Sequence, residues 1–279
     1  MKNKRRIMKN HAIAGVIEAL LMVALVSIII SMIQLMYIPD IMEQKEADHM
    51  DQVSNQFSTI KSMMEMQAIT NSSAPVSTMI TLGSRELPYL ISARSYGQAS
   101  TRETDESYIS IDGANPGDPY FYDLTALQYE AFNSYFVDQT YILEGGGLIV
   151  EQPNGEPVMR IDPSIIVENG SEIKIHFNLP IITGLRGKNS TTGFGKCFIR
   201  TNWSKGATDV IEGIGISSLN ISTMYPNAWN ESLYDMLGDN VNYDVGETYV
   251  KISKADIRPI YLYLEYYYIF VQIGQGWIK

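Results

Sequence analysis

A single acidic residue, Glu18, sits inside an apolar run from Ile13 to Ile38 in which Gln34 is the only other strongly polar member. A carboxyl in that setting either finds a positive partner or reaches back to a polar boundary. Glu18 lies about 8 Å along a helix from Ile13, so both outcomes are open. Cys197, the sole cysteine, could act as a nucleophile with His176 as its base, although a core cysteine is the simpler reading. Two acidic loops invite calcium: Asp112-Gly-Ala-Asn-Pro-Gly-Asp118 and the stretch from Asp239 to Glu247. In the second, Asn240, Asn242 and Asp244 alternate as calcium ligands do. Gly246 then falls at position seven instead of six, and Lys251 stands where a bidentate glutamate belongs. Both loops read as turns. Six Asn-X-Ser/Thr triplets begin at Asn71, Asn169, Asn189, Asn202, Asn220 and Asn230. About two are expected by chance among this many asparagines, so acceptor sites for N-linked glycans are enriched.

Other chemistries are excluded or unsupported. One cysteine permits neither an internal disulfide nor a cysteine zinc site, and three histidines (His11, His49, His176) leave little for a histidine cluster. There is no Gly-x-Ser-x-Gly, no His-Glu-x-x-His and no Gly-Lys-Ser/Thr loop. Gly145-Gly146-Gly147 leads into a strand, without the helix a phosphate loop needs. No enzyme and no cofactor is expected. The net charge of −10 divides unevenly: five of the 21 Lys and Arg lie in the first twelve residues, leaving 16 against 31 Asp and Glu. An acidic body excludes nucleic acid as a partner.

The elements that must position these residues follow from the patterning. The 26-residue apolar run is long enough to cross a bilayer with some tilt, and it lacks the amphipathic face of a soluble core helix. Lys2, Lys4, Arg5, Arg6 and Lys9 precede it, while Asp40, Glu43, Glu46, Asp48 and Asp51 follow against Lys45 alone. Positive-inside logic puts the short N-terminus in the cytoplasm and the remainder outside. Beyond Pro39, which either kinks one rod or starts a second helix, Met50, Val53, Phe57, Ile60, Met64 and Ala68 paint an apolar stripe. That stripe packs on the chain's own body or on other subunits.

The Thr70–Pro75 cluster ends the helix, and β-type runs follow. Strands are expected at Val76–Leu82, Leu87–Ser92, Gly147–Gln152, Pro157–Ile161, Glu172–Ile182, Cys197–Asn202, Val210–Ile216, Thr248–Ser253, Pro259–Glu265 and Tyr266–Ile273. Strict alternation marks Ile173 to Leu179 as a strand with one wet face. Asn154-Gly155 marks a hairpin. A short helix is expected near Leu124–Asn133. The run from Tyr261 to Ile273 is apolar or aromatic on both faces, as in a strand buried on both sides or a sticky aromatic patch.

The run Lys9-Asn-His-Ala12-Ile13-Ala14-Gly15-Val16-Ile17-Glu18 and the apolar residues after it resemble the class III signal of archaeal type IV pilin-like proteins. In that family a short basic leader precedes a processing site and a hydrophobic helix. The resemblance implies removal of the leader by a prepilin peptidase between Ala12 and Ile13, and a mature helix that bundles with other subunits. It also implies an assembly role for Glu18, pairing with a neighbouring subunit's N-terminal amine. Unprocessed, the segment would serve as a plain anchor. Pro39, His49, Tyr141–Gln152 and Thr183–Arg200, with Thr191-Thr192-Gly193-Phe194-Gly195, are more loosely similar to archaeal membrane-anchored proteins of unknown function.

The fold class expected is therefore α+β: a long N-terminal transmembrane and stalk helix followed by a mainly antiparallel, β-sandwich-like domain, a pilin-like lollipop. Residues 1–12 form a basic leader, 13–38 the span, 39–70 the stalk and 76–279 an extracellular β-rich domain. A structural or adhesive surface protein is expected, with an anchored binding module as the alternative. Its partners would be the lipid bilayer, other pilin-like subunits and a prepilin peptidase.

Overall fold

A computed structural model describes residues 2–84, 92–103, 106–113, 119–255 and 257–274, with side chains left out at 2–13 and 205–209. Helix α1 (Lys2–Met32) runs through a wide turn at Ile33–Tyr37 into α2 (Ile38–Ile69). The Ile38 N–H donates to the Ile33 carbonyl, five residues back. Pro39 has no N–H to continue a regular ladder, and the wide turn immediately before it absorbs the mismatch. The helix therefore continues, and Pro39 opens α2 without stopping the rod.

Among the described residues fifteen strands follow: β1 (Val76–Thr81), β2 (Tyr96–Arg102), β3 (Tyr108–Gly113), β4 (Tyr120–Asp123), β5 (Ala126–Phe132), β6 (Thr140–Glu144), β7 (Gly147–Glu151), β8 (Val158–Ile161), β9 (Ile165–Asn169), β10 (Ile173–Gly184), β11 (Ser190–Gly193), β12 (Lys196–Ser222), β13 (Val241–Val245), β14 (Tyr249–Lys254) and β15 (Ile260–Ile273), with α3 (Pro226–Leu237) between β12 and β13. The larger sheet has the order β13-β14-β12-β15-β10-β9, with β1 and β3 also pairing with β12 and β4 with β3. The smaller sheet runs β11-β2-β5-β6-β7-β8. Pairing is antiparallel except between β10 and β15, whose parallel register runs unbroken from Ile173↔Ile260 to Gly184↔Val271. One long apolar helix followed by a mostly antiparallel β domain is the α+β lollipop expected.

Two apolar cores organise the head. The first gathers Phe177 and Leu179 of β10, Leu262 and Leu264 of β15, and Trp229, Leu233 and Leu237 of α3. The second gathers Phe57 and Ile60 of α2, Tyr129 of β5, Tyr141 of β6, and Tyr267 and Ile269 of β15. In β15 the first core takes even-numbered residues and the second odd-numbered ones. Successive side chains point to opposite faces, so the strand trades its buried face between Leu264 and Tyr267. Ile142 and Leu143 of β6 divide between the cores in the same way. The apolar run at the C-terminus thus serves a buried face on each side in turn.

The stalk stripe lies on the chain's own head: Met50, Val53, Phe57, Ile60 and Met64 are buried in the second core, with Ala68 packed beside them. The hairpin turns over residues 152–155, where the Gly155 N–H donates to the Gln152 carbonyl at 3.1 Å and Asn154, third in the turn, takes a left-handed φ of 63°. The helix expected near Leu124–Asn133 is instead strand β5, paired with β2 and β6. Ala126, Leu127, Tyr129 and Ala131 are buried there, and packing between two strands overrides the helix propensity of Ala, Leu, Gln and Glu. The expected pairs of strands at 197–216 and 259–273 are each one long strand, β12 and β15. The expected strand Leu87–Ser92 falls on residues outside the description apart from Ser92.

Candidate functional site: the apolar helix and its junction with the head

From Ala14 to Tyr37 the helix stands clear of the head, with every residue exposed except half-buried Gln34. This stretch spans about 36 Å, the thickness a membrane span requires. Among the described residues one helix is long and apolar enough to cross a membrane. Ser27 donates its hydroxyl to the Val23 carbonyl at 2.8 Å, which satisfies it without solvent. Glu18 is exposed on this helix and makes no hydrogen bond or ion pair among the described residues. Ala12 and Ile13 lie within α1, with side chains outside the description.

The junction with the head is polar and buried. Glu46, 0% exposed, points its carboxylate into the loop between β5 and β6. It accepts backbone N–H bonds from Tyr135 at 2.7 Å, Phe136 at 2.8 Å and Ser134 at 3.1 Å. Three converging amides form an anion-binding nest, here filled by the chain's own side chain. One turn on, His49 lies against the Thr81 carbonyl at 3.1 Å, with the ring of Tyr129 edge-on at 6.4 Å. Gln56 accepts the Thr81 N–H at 3.0 Å, and Gln67 donates to Ala74 at 2.8 Å and to Thr201 at 3.2 Å. These bonds fix the axial position of α2, which apolar packing alone would leave free to slide.

Burial lowers the pKa of His49; the Thr81 carbonyl and the Glu46 charge act in the opposite direction. The unfolded chain therefore takes up a proton at His49 before the folded chain does. The stability it contributes is complete above about pH 6.5 and is lost as pH falls from there through the lower native value. Between pH 7 and pH 5 the urea midpoint of the intact protein should fall more steeply than that of His49→Gln. Parallel pH profiles would contradict this.

Farther along α2, Lys61, Glu65 and Ser164 meet, Lys61 donating to Glu65 and, at 3.1 Å, to the Ser164 hydroxyl. A lysine shared with a carboxylate makes this trio a strut between α2 and the segment before β9. It borders a cleft of about 550 Å³ lined by Asn71, Asn178, Glu265 and Tyr267 among others. Burial, with Glu65 and Glu265 nearby, pushes the Tyr267 phenol up.

A heavily bonded acid in the head is Glu144, at the turn into Gly145-Gly146-Gly147. It accepts from Thr223 at 2.6 Å, from the Trp229 indole at 3.0 Å and from Arg102 at 3.1 Å. Burial raises its carboxyl, while those hydrogen bonds and the Arg102 charge favour the ionised form. Arg102 also donates to the Tyr225 hydroxyl at 3.2 Å. The network is satisfied internally and fastens α3 to the β6–β7 turn. Gly145 is required here: its φ is +56°, and a Cβ would meet the Trp229 ring at 2.9 Å.

The residues singled out in the sequence do not converge on a reaction. His176 pairs across strands with Tyr263, and Ile199, two residues from Cys197, pairs with Ile273. About 33 Å of β15 separates those positions. Burial pushes the Cys197 thiol up, away from nucleophilic character. His176 instead stacks on Tyr263 with ring centroids 4.5 Å apart, and Tyr263 lies over Gly213, where a Cβ would come within 3.2 Å of its hydroxyl. Of the first acidic loop, residues 114–118 lie outside the description. In the second, Val241–Val245 is strand β13, and Asn242, Asp244 and Asn240 bond separately to Lys254, Tyr249 and Leu237. Among the described residues no group of three acidic, histidine or cysteine side chains could hold a metal ion.

Of the six triplets, Asn71, Asn169 and Asn189 are exposed, in a helix-terminal turn, at a strand end and in a bend. Asn202, Asn220 and Asn230 are half-buried within β12 and α3. Reading the sequence missed Glu46 and Glu144. Glu46 did carry a signal, since it lies on the same helical face as Met42, Met50 and Val53, and an acid on a buried stripe requires a partner. Comparison with protein-family models, with curated proteins and with solved structures finds no match to this chain.

Proposed function

We propose that this is a single-pass membrane protein with its N-terminus in the cytoplasm, its head outside the cell, and a structural or adhesive role as a pilin-like subunit. The observation that carries the reading is the helix from Ala14 to Tyr37, apolar on all sides and covered by nothing in its own head. A surface of that kind is stable only in lipid or against other apolar helices. The five basic residues before it and the acidic residues after it favour the orientation. Glu18, without a partner among the described residues, is suited to pair with a neighbouring subunit, and the exposed triplets suit a glycosylated surface. The cleft beside α2 supports a second reading, an anchored module that binds an extracellular ligand without assembling.

Mass spectrometry of the native N-terminus separates the two. A chain beginning at Ile13, after removal of Ala12 and all before it, is the expected result. A chain that retains Met1 or Lys2 would eliminate the pilin-like reading and leave the anchored module.

A further inference from the structure

We propose that Asn71, Asn169 and Asn189 carry N-linked glycans, that Asn202, Asn220 and Asn230 do not, and that the glycans on Asn169 and Asn189 cover two open sheet edges. The inference rests on the placement of the head outside the cell. In the transfer, the carboxamide nitrogen of asparagine attacks the anomeric carbon of a lipid-phosphate-linked oligosaccharide. The carbon–oxygen bond to phosphate breaks and its electron pair leaves with the lipid phosphate. The amide gives up one proton to a base of the transferase, and no oxidation state changes.

Whatever the timing of transfer, a finished glycan must leave the fold through the amide nitrogen without displacing a neighbour. Asn71 closes α2 in the left-handed conformation, φ 49°, and both it and Ser73 are exposed. Asn169, Gly170 and Ser171 are all exposed at the end of β9. Arg258 donates to the Asn169 Oδ1 at 3.0 Å. Arginine has only donors, so the oxygen faces it and the nitrogen lies on the opposite side of the carboxamide. Asn189 is exposed in a bend held by the Thr101 N–H on its carbonyl at 2.9 Å.

The other three are closed. Asn202 pairs with Phe270 across the centre of the larger sheet, and its Oδ1 is buried. Asn220 lies on β12 between Ser110 of β3 and Lys251 of β14. In the Asn230 triplet, Ser232 is 2% exposed and donates to Asp162 at 2.7 Å. A glycan at any of these would displace a strand or α3.

Two of the open positions, Asn169 and Asn189, also share a place in the topology. The main order of the larger sheet ends at β13 and β9, with β1 and β4 ending its side branches, and the smaller sheet ends at β8 and β11. Helix α3 packs mainly against β8, β13 and β14 and only lightly against β9. Asn169 is the last residue of β9, which leaves Ile166 65% exposed, and Asn189 immediately precedes β11. An uncovered edge offers unpaired N–H and C=O groups to another chain, and a bulky hydrated group at its end blocks that approach.

Site-resolved glycopeptide mass spectrometry of the full chain, purified from its native membranes, tests the assignment. Expected are glycans at Asn71, Asn169 and Asn189 alone; an unmodified member of this set, or a glycan at Asn202, Asn220 or Asn230, overturns it. External protease on intact cells separates two failures. A digested head without glycans refutes only this inference, whereas a protected head refutes the outside placement as well. For the edges, Ser171→Ala with Thr191→Ala removes both acceptors and keeps both asparagines. Light scattering should show about a doubling or more of apparent mass relative to Ser73→Ala. Equal masses would overturn the edge-covering role.

Discussion

Trp229→Ala is expected to cost the head about 3–5 kcal/mol, the range for a fully buried tryptophan truncated in a packed core. Trp229 is 0% exposed, belongs to the first core and covers Gly145. Its indole N–H is also one of the three donors that hold Glu144. Truncation leaves a cavity and withdraws a hydrogen bond from a buried carboxylate, and the two losses act on the same joint between α3 and the β6–β7 turn. Trp229→Phe separates them: it keeps most of the volume and loses the N–H, at about 1–2 kcal/mol. Urea unfolding followed by circular dichroism measures both. A loss below about 1 kcal/mol for the alanine variant would contradict the role given to this residue.

Phe57→Ala should cost a similar amount, about 3–5 kcal/mol, but in the second core. Phe57 is fully buried on α2, stacks on Tyr141 with centroids 6.2 Å apart, and lies among side chains of both sheets. Tyr141 is itself tied to α2, donating to the Met50 carbonyl at 3.0 Å, and burial raises its phenol to about 12. Because the second core joins stalk to head, its loss should loosen α2 locally before the head unfolds. Hydrogen exchange is expected to rise across residues 50–68 while β10 and β15 stay protected. Uniform change over the whole chain would mean that stalk and head fold as one unit.

What the sequence made legible was whatever repeats with a short period. The apolar run from Ile13, the stripe from Met50 to Met64 and the alternation from Ile173 to Leu179 each declare their element without a neighbour. Turn chemistry did the same for Asn154-Gly155. β12 was harder: 197–202 and 210–216 read as two separate strands, yet one strand continues through two pairing irregularities, at Trp203/Thr208 and Ile211/Ile214. A strand that shifts register can carry glycines that a regular one would not. Helix α3 had a readable signature, Pro226 at its start and Trp229, Leu233 and Leu237 four apart. β5 lacked one, because helix-favouring residues there obey the strands on either side. Buried charges were the least legible. Glu46 finds its partners 88 to 90 positions away, in the backbone amides of Ser134 to Phe136. Glu144 finds Thr223 and Trp229 79 and 85 positions away. Only the folded chain brings such groups together.

The helix from Ala14 to Tyr37 is the central claim, because the anchoring, the orientation and the assembly surface all depend on its lying in lipid. Alkaline carbonate extraction of native membranes, with the chain followed in pellet and supernatant, tests this most directly. Peripheral proteins are stripped by that treatment, and a chain held by one apolar helix is not. The chain should remain in the pellet and be released only by detergent. Its quantitative appearance in the carbonate supernatant would contradict the account.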